Sequence, residues 1–268
     1  MAISISTDND VQEKVSEEEN ALPTIPIFYL TLALIGGLIM FGTYRWYQQN
    51  YSFTVGLDYF EPEFQIYWMN LMWAQLAVIA IVGAVSVPWL WFTRDKDILS
   101  LPAKVELGRY YLIFAVMAMS SVLTLVTLGL FTEADAAWHQ VTIRDTDFTP
   151  THIALFYFAI PLMAVGNVLA FIWVHTRLPD YSNRISTPLA VMVAGPILIM
   201  PNLGLNEWGH TFFYAEELFA APIHWGFVTL GWAFFAIGGF ILQCLNRVRV
   251  LTTLVAEEVI EVPESEAA

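Results

Sequence analysis

Asp135 and His139 stand four residues apart, and so do Asn206 and His210. On a helix, residues i and i+4 share a face, so each pair can present an oxygen and an imidazole to one ion. Each pair is followed by another histidine: His152 comes 13 residues after His139, and His224 comes 14 after His210. Both late histidines sit two residues after a proline, in Pro150-Thr151-His152 and Pro222-Ile223-His224. Proline suits the first turn of a helix, so each late histidine is expected at a helix start. The pattern gives two candidate metal triads, Asp135/His139/His152 and Asn206/His210/His224. The chain has one cysteine, Cys244, which excludes a disulfide or thiolate cluster within it. Zinc, copper, iron or nickel would suit such ligands. Two imidazoles and a carboxylate also describe the facial triad of non-haem iron, and copper(II) would bind tightest at equal availability. The neutral amide oxygen of Asn206 makes the second triad the weaker one. The plain alternative is that these groups cap helix ends and pair with Arg144 or lipid headgroups. One histidine at a membrane edge would favour that alternative; two matched triads favour metal.

The elements that carry these residues are membrane helices. Apolar residues make up 57% of the 268-residue chain and charged residues 13%, with a mean hydropathy of +0.58. Soluble domains carry about 25% charge, so a soluble globular enzyme is disfavoured. The net charge of −14 excludes a basic nucleic-acid-binding protein. Six stretches lack any Asp, Glu, Lys or Arg: 20–44, 65–93, 110–132, 148–176, 185–206 and 218–246. A helix needs about 20 apolar residues to cross the hydrocarbon core. The expected fold class is therefore all-α, a polytopic integral membrane bundle of about six transmembrane helices, each somewhat shorter than its charge-free stretch. The triads repeat with offsets of 71 and 72 residues, from Asp135 to Asn206 and from His152 to His224. A shift of two membrane helices preserves direction, so the pattern is an internal parallel repeat of two helix pairs with both triads on one side.

The division expected is an acidic cytoplasmic tail over 1–22, a transmembrane domain over 23–250 and a second acidic cytoplasmic tail over 251–268. The acids Asp8, Asp10, Glu13, Glu17, Glu18 and Glu19 near the start are unlike a basic secretory signal. Placing the N-terminus inside puts Lys14, Arg94, Lys96, Lys104, Arg109, Arg177, Arg184, Arg247 and Arg249 on the cytoplasmic side, and only Arg45 and Arg144 outside. By the positive-inside rule both termini face the cytoplasm. His139, His152, His210 and His224 then lie on the outer side, while His175 falls at the inner end of the fourth helix and reads as a structural interfacial residue. Glu133, Asp147, Glu207, Glu216 and Glu217 are candidate supports or proton carriers for the triads, with surface solvation equally expected.

At these residues the sequence resembles the C-type subunit of the copper membrane monooxygenases, the family of particulate methane, ammonia and short-chain alkane monooxygenases. The stretch FTEADAAWHQVTIRDTDFTPTHIALF (131–156) carries one long motif, and GPILIMPNLGLNEWGHTFFYAEELFAAPIHWGFVTLGW (195–232) the other. The shorter pieces TRLP (176–179) and GLDYFEPEFQIYWMN (56–70) agree, and the similarity spans about 43–245. The resemblance implies one copper site on Asp135, His139 and His152, and a neighbouring one on Asn206, His210 and His224. It implies a trimer of three-subunit protomers, with an A-type membrane subunit and a B-type subunit whose extracytoplasmic cupredoxin domains carry their own copper. It implies a bacterial inner or intracytoplasmic membrane, and a reaction in which O2 and two electrons, from quinol, place one oxygen on a small substrate. The segment Phe212-Phe213-Tyr214-Ala215 departs from the Phe-Trp-Phe-Met pattern expected in methane and ammonia enzymes, and Asp147 matches the methane type. Methane or a short-chain alkane is the expected substrate.

Other readings compete. An ammonia-oxidising member of the same family would keep the mechanism and change the substrate. A purely structural membrane subunit would leave catalysis to a partner chain. A bis-histidine haem anchor is disfavoured by the oxygen ligands at i−4, and a transporter by the gathering of His with Asp or Asn at one membrane face.

Overall fold

The computed structural model describes residues 22–55, 57–141, 148–213 and 216–261; within them, the side chains of 139–141, 202–213, 216–227, 230 and 258–261 are outside the description. The described residues form six long helices and two short 3-10 turns, Ile98–Ser100 and Pro179–Tyr181. The helices are α1 (Ile27–Tyr51), α2 (Pro62–Phe92), α3 (Ala103–Val141), α4 (Pro150–Arg177), α5 (Thr187–Phe213) and α6 (Glu216–Glu261). Five of them hold stretches long and apolar enough to span a membrane, and Thr187–Pro201 of α5 is a shorter apolar helix. The protein is thus a multi-pass, all-helical integral membrane protein. Its outward surface agrees: Phe28, Trp89 and Phe235 are 69%, 62% and 88% exposed, as lipid-facing residues should be in a chain whose helices satisfy their own backbones.

Two helices are much longer than their charge-free stretches. α3 has 39 residues, or about 58 Å at 1.5 Å per residue, against a hydrocarbon core of about 30 Å. α6 has 46 residues. The expectation that every helix would be shorter than its uncharged stretch holds only for α4: α1 equals its stretch, α2 and α5 exceed theirs by a few residues, and α3 and α6 exceed theirs by far more. Their added turns are held by specific contacts rather than by apolarity. Arg247 of α6 donates Nε to Glu106 Oε1 at 2.8 Å and Nη2 to Glu106 Oε2 at 2.6 Å, a two-pronged pair with a Glu106 that is 2% exposed. Leu251 and Val255, beyond the charged residues, are buried in a core with Leu107, Tyr110, Tyr181 and Phe240. Helix thus continues to Glu261, eleven residues into the segment expected as a C-terminal tail.

The helices pack α5 on α6, α4 on α2 and α5, and α3 on α1 and α6. A small residue sets the closest approach: a Cβ added at Gly195 of α5 would lie 2.4 Å from the Ala233 Cβ of α6. Such contacts let membrane helices approach closely. His175, at the Glu106 end of the bundle, is structural as expected. Its Nδ1 meets the Phe171 carbonyl at 2.8 Å, and its Nε2 accepts the Ser186 N–H at 3.3 Å, tying the end of α4 to the start of α5. A mostly apolar cavity of about 350 Å³ opens between α3, α4, α5 and α6, with Phe41 of α1 at its edge.

Both α2 and α4 contain a π-helical turn, at Gln65–Met69 and Leu155–Ala159. Each lies soon after a proline that opens its helix, Pro62 or Pro150. The second also lies just before Pro161, whose missing N–H leaves a carbonyl without its usual donor. π-turns of this kind are often found at functional sites.

Candidate metal centre

Asp135 lies on the last turns of α3, just beyond its charge-free stretch. Helix α4 starts where Pro150 predicts: Thr149 is extended at the cap, Pro150 takes the first helical position, and His152 follows in the first turn. The two helix ends meet. His152 Nε2 is 3.1 Å from Asp135 Oδ1. The Thr151 hydroxyl donates to the same carboxylate oxygen at 2.6 Å. The imidazole is almost enclosed, with its side chain 2% exposed, while the carboxylate is 18% exposed. The Phe156 ring stacks against it, centroids 4.6 Å apart.

The polar surroundings come from α1 and α2. Gln48 of α1 is fully buried and donates Nε2 to the Pro150 carbonyl at 3.3 Å. Gln75 of α2 donates Nε2 to the Ile153 carbonyl at 2.8 Å and accepts the Tyr44 hydroxyl at 2.8 Å. Arg45 reaches Glu133 at 2.8 Å, but the Glu133 side chain is 69% exposed, so this pair adds little stability. Trp138, 1% exposed, packs against the Phe53 ring. It is a buried packing residue near the end of α3. An aromatic layer of Phe41, Tyr44, Phe131 and Phe158 lies between this end and the cavity below, with Phe41 and Phe131 rings 6.4 Å apart.

The donor chemistry fits a metal ion. Two ligand atoms each about 2.1 Å from one ion stand about 3.0–3.4 Å apart at right-angled to tetrahedral geometry. The observed separation of 3.1 Å falls in that range and is equally that of a direct hydrogen bond between the two side chains. A carboxylate with an imidazole suits copper, zinc or iron. Among the described residues no three His, Cys, Asp or Glu side chains gather at one point. The third expected ligand, His139, has its side chain outside the described residues. The second triad cannot be placed either: Asn206 and His210 lie on the helical backbone of α5 and His224 on that of α6, with all three side chains outside the description. The same holds for Glu207, Glu216, Glu217, Trp208, Phe212, Phe213 and Trp225; Tyr214 and Ala215, together with Arg144 and Asp147, lie outside the described residues altogether.

One local expectation needs correction. His224 does not open a helix, because α6 begins at Glu216, six residues before Pro222. Sequence reasoning also missed Gln48, Gln75 and Thr151. The signal available was a glutamine inside an otherwise apolar span, as at Gln75.

Two comparisons bear on identity. The chain is similar to a curated NAD(P)H-quinone oxidoreductase chain 4-2 of Synechocystis, at 30% identity over 48% of this chain and 30% of that protein. The chain thus spans under a third of that relative's length, which leaves the two proteins' functions unconnected. The AmoC family model, which describes the C-type subunit of ammonia monooxygenase/methane monooxygenase, matches residues 10–255. With its membrane helices and its Asp135–His152 junction, the chain belongs to this AmoC family of ammonia monooxygenase/methane monooxygenase subunits.

Proposed function

We propose that this chain is the metal-bearing membrane subunit of a copper-dependent monooxygenase that hydroxylates methane or a short-chain alkane. The observation that carries the reading is the convergence of Asp135 and His152 at the junction of α3 and α4. Those two residues, with His139, would hold copper; Asn206, His210 and His224 would form a second site. Copper there would supply the activation of O2. In net terms, the hydrocarbon, O2, two electrons and two protons give an alcohol and water, with a quinol as electron donor.

The chain's own residues then have defined tasks. Asp135 contributes charge and an oxygen ligand. Thr151 donates to Asp135 Oδ1 and so limits rotation of the carboxylate. The burial of His152 and the Phe156 ring against it keep bulk water from the imidazole, and a dry site protects reactive species from side reactions. The substrates dissolve in the bilayer, so a site near the ends of membrane helices is open to supply from lipid. The proposed setting is a bacterial inner or intracytoplasmic membrane, with both termini cytoplasmic and the Asp135 end outside, in a trimer of protomers that each add the A-type and B-type subunits of the monooxygenase.

The test is a product assay on membranes holding the whole complex, given O2 and a quinol, with methane, butane and ammonia offered in parallel and copper removed or restored. Copper-dependent alcohol supports the reading. Copper-dependent hydroxylamine without alcohol would assign the chain to ammonia oxidation instead. A second reading is a structural subunit with catalysis elsewhere, favoured by the direct contacts of Thr151 and His152 with Asp135, which themselves join α4 to α3. In that case variants here would lower assembly and leave turnover per assembled complex unchanged.

A further inference from the structure

The backbone that carries His152 is fixed from both sides by amides from other helices. Gln48 Nε2 holds the Pro150 carbonyl, two residues before His152, and Gln75 Nε2 holds the Ile153 carbonyl, one residue after it. Between them, the Thr151 side chain is tied to Asp135. Three anchors, at Pro150, Thr151 and Ile153, therefore flank one imidazole, and they come from α1, α3 and α2. Gln48 is fully buried and Gln75 is 7% exposed. An amide in apolar surroundings is costly unless hydrogen-bonded, and polar groups inside membrane spans are usually functional. Gln75 is also held from behind: the Tyr44 hydroxyl of α1 donates to its Oε1 at 2.8 Å. Tyr44, Gln75 and Ile153 thus form one relay across α1, α2 and α4. It meets α4 just before the π-turn at Leu155–Ala159, where the regular helix ladder is interrupted.

We propose that Gln48 and Gln75 are positioning residues for the metal site: they fix the first turn of α4 so that His152 directs Nε2 at the ion held with Asp135. The inference rests on the copper reading above. Neither glutamine touches the metal. Groups that orient ligands typically change metal affinity or activity 10- to 100-fold when removed, and the relay predicts the lower end.

The experiment uses the whole complex in membranes, chelated and then titrated with copper(II). The signal of this site is the electron paramagnetic resonance difference between wild type and His152→Ala. Gln75→Met and Gln48→Met keep much of the side-chain shape and remove the donor. Tyr44→Phe removes only the hydroxyl behind Gln75 and preserves ring packing, which covers the case in which a glutamine variant fails to assemble. The expected result is a copper affinity about tenfold weaker in each glutamine variant that assembles. Its difference signal should have altered hyperfine splitting, and Tyr44→Phe should shift in the same direction by less. Wild-type affinity and signal in Tyr44→Phe and in every glutamine variant that assembles, alongside loss of the signal in His152→Ala, would overturn the positioning role. An unchanged copper signal in His152→Ala would instead overturn the copper reading on which it rests.

Discussion

His152 Nε2 and Asp135 Oδ1 lie 3.1 Å apart although they belong to different helices. The contact is the structural core of the proposed metal centre. It forms because α3 runs on past its apolar stretch while α4 starts at Pro150, so that a late turn of one helix meets the first turn of the other.

Thr151 holds the carboxylate of that pair. Thr151→Val keeps the side-chain shape and removes the hydroxyl that donates to Asp135 Oδ1. Copper affinity of the assembled complex should fall about tenfold, as for other groups that orient ligands. Copper titration of chelated membranes checks this, and an unchanged affinity would contradict it.

The Glu106–Arg247 pair is a stability element distinct from the metal centre. Arg247→Met leaves Glu106, 2% exposed, without its charged partner. The expected loss is about 3 kcal/mol, the low end for breaking a buried pair, because the Arg247 side chain is itself 31% exposed. Glu106→Gln combined with Arg247→Met should recover part of that loss. Thermal unfolding of the purified complex measures both, and copper content should stay at the wild-type level.

Helix α5 cannot take a larger residue at Gly195. An added Cβ there already meets the Ala233 Cβ at 2.4 Å, whereas one at Gly166 meets nothing within 4 Å. Gly195→Val should destabilise the complex by about 1–3 kcal/mol, the usual cost of overpacking. Gly166→Ala should remain close to wild type. A comparison of melting temperatures separates the two.

His175 serves packing rather than metal binding. His175→Ala removes the acceptor for the Ser186 N–H and the contact with the Phe171 carbonyl. A loss of about 1 kcal/mol is expected, the usual worth of a hydrogen bond. Copper content measured on the same preparation should be unchanged.

Much of this arrangement can be read from the residues. The six uncharged stretches predict six helices because a charge in hydrocarbon is costly, and all six helices appear. Asp135, Pro150 and His152 lead to a meeting of helix ends because proline sets where α4 starts. The lengths of α3 and α6 are not legible in the same way, since their extra turns depend on partners such as Arg247 and Glu106, distant in sequence. Pro222 misleads as the start of α6, because helix already runs from Glu216 and a proline in a membrane helix need not open it. Gln48 and Gln75 escape a sequence reading because an isolated glutamine has no spacing pattern; its partners are carbonyls on another helix. The likeness of the two triads remains a sequence observation, with the side chains of His139, Asn206, His210 and His224 outside the described residues.

The most direct test of the central claim compares the intact complex with its Asp135→Ala and His152→Ala variants for copper content and copper-dependent alcohol formation. The account predicts that both variants assemble, lose the copper held at this junction and lose turnover together. Wild-type copper content with full turnover in both variants would contradict it.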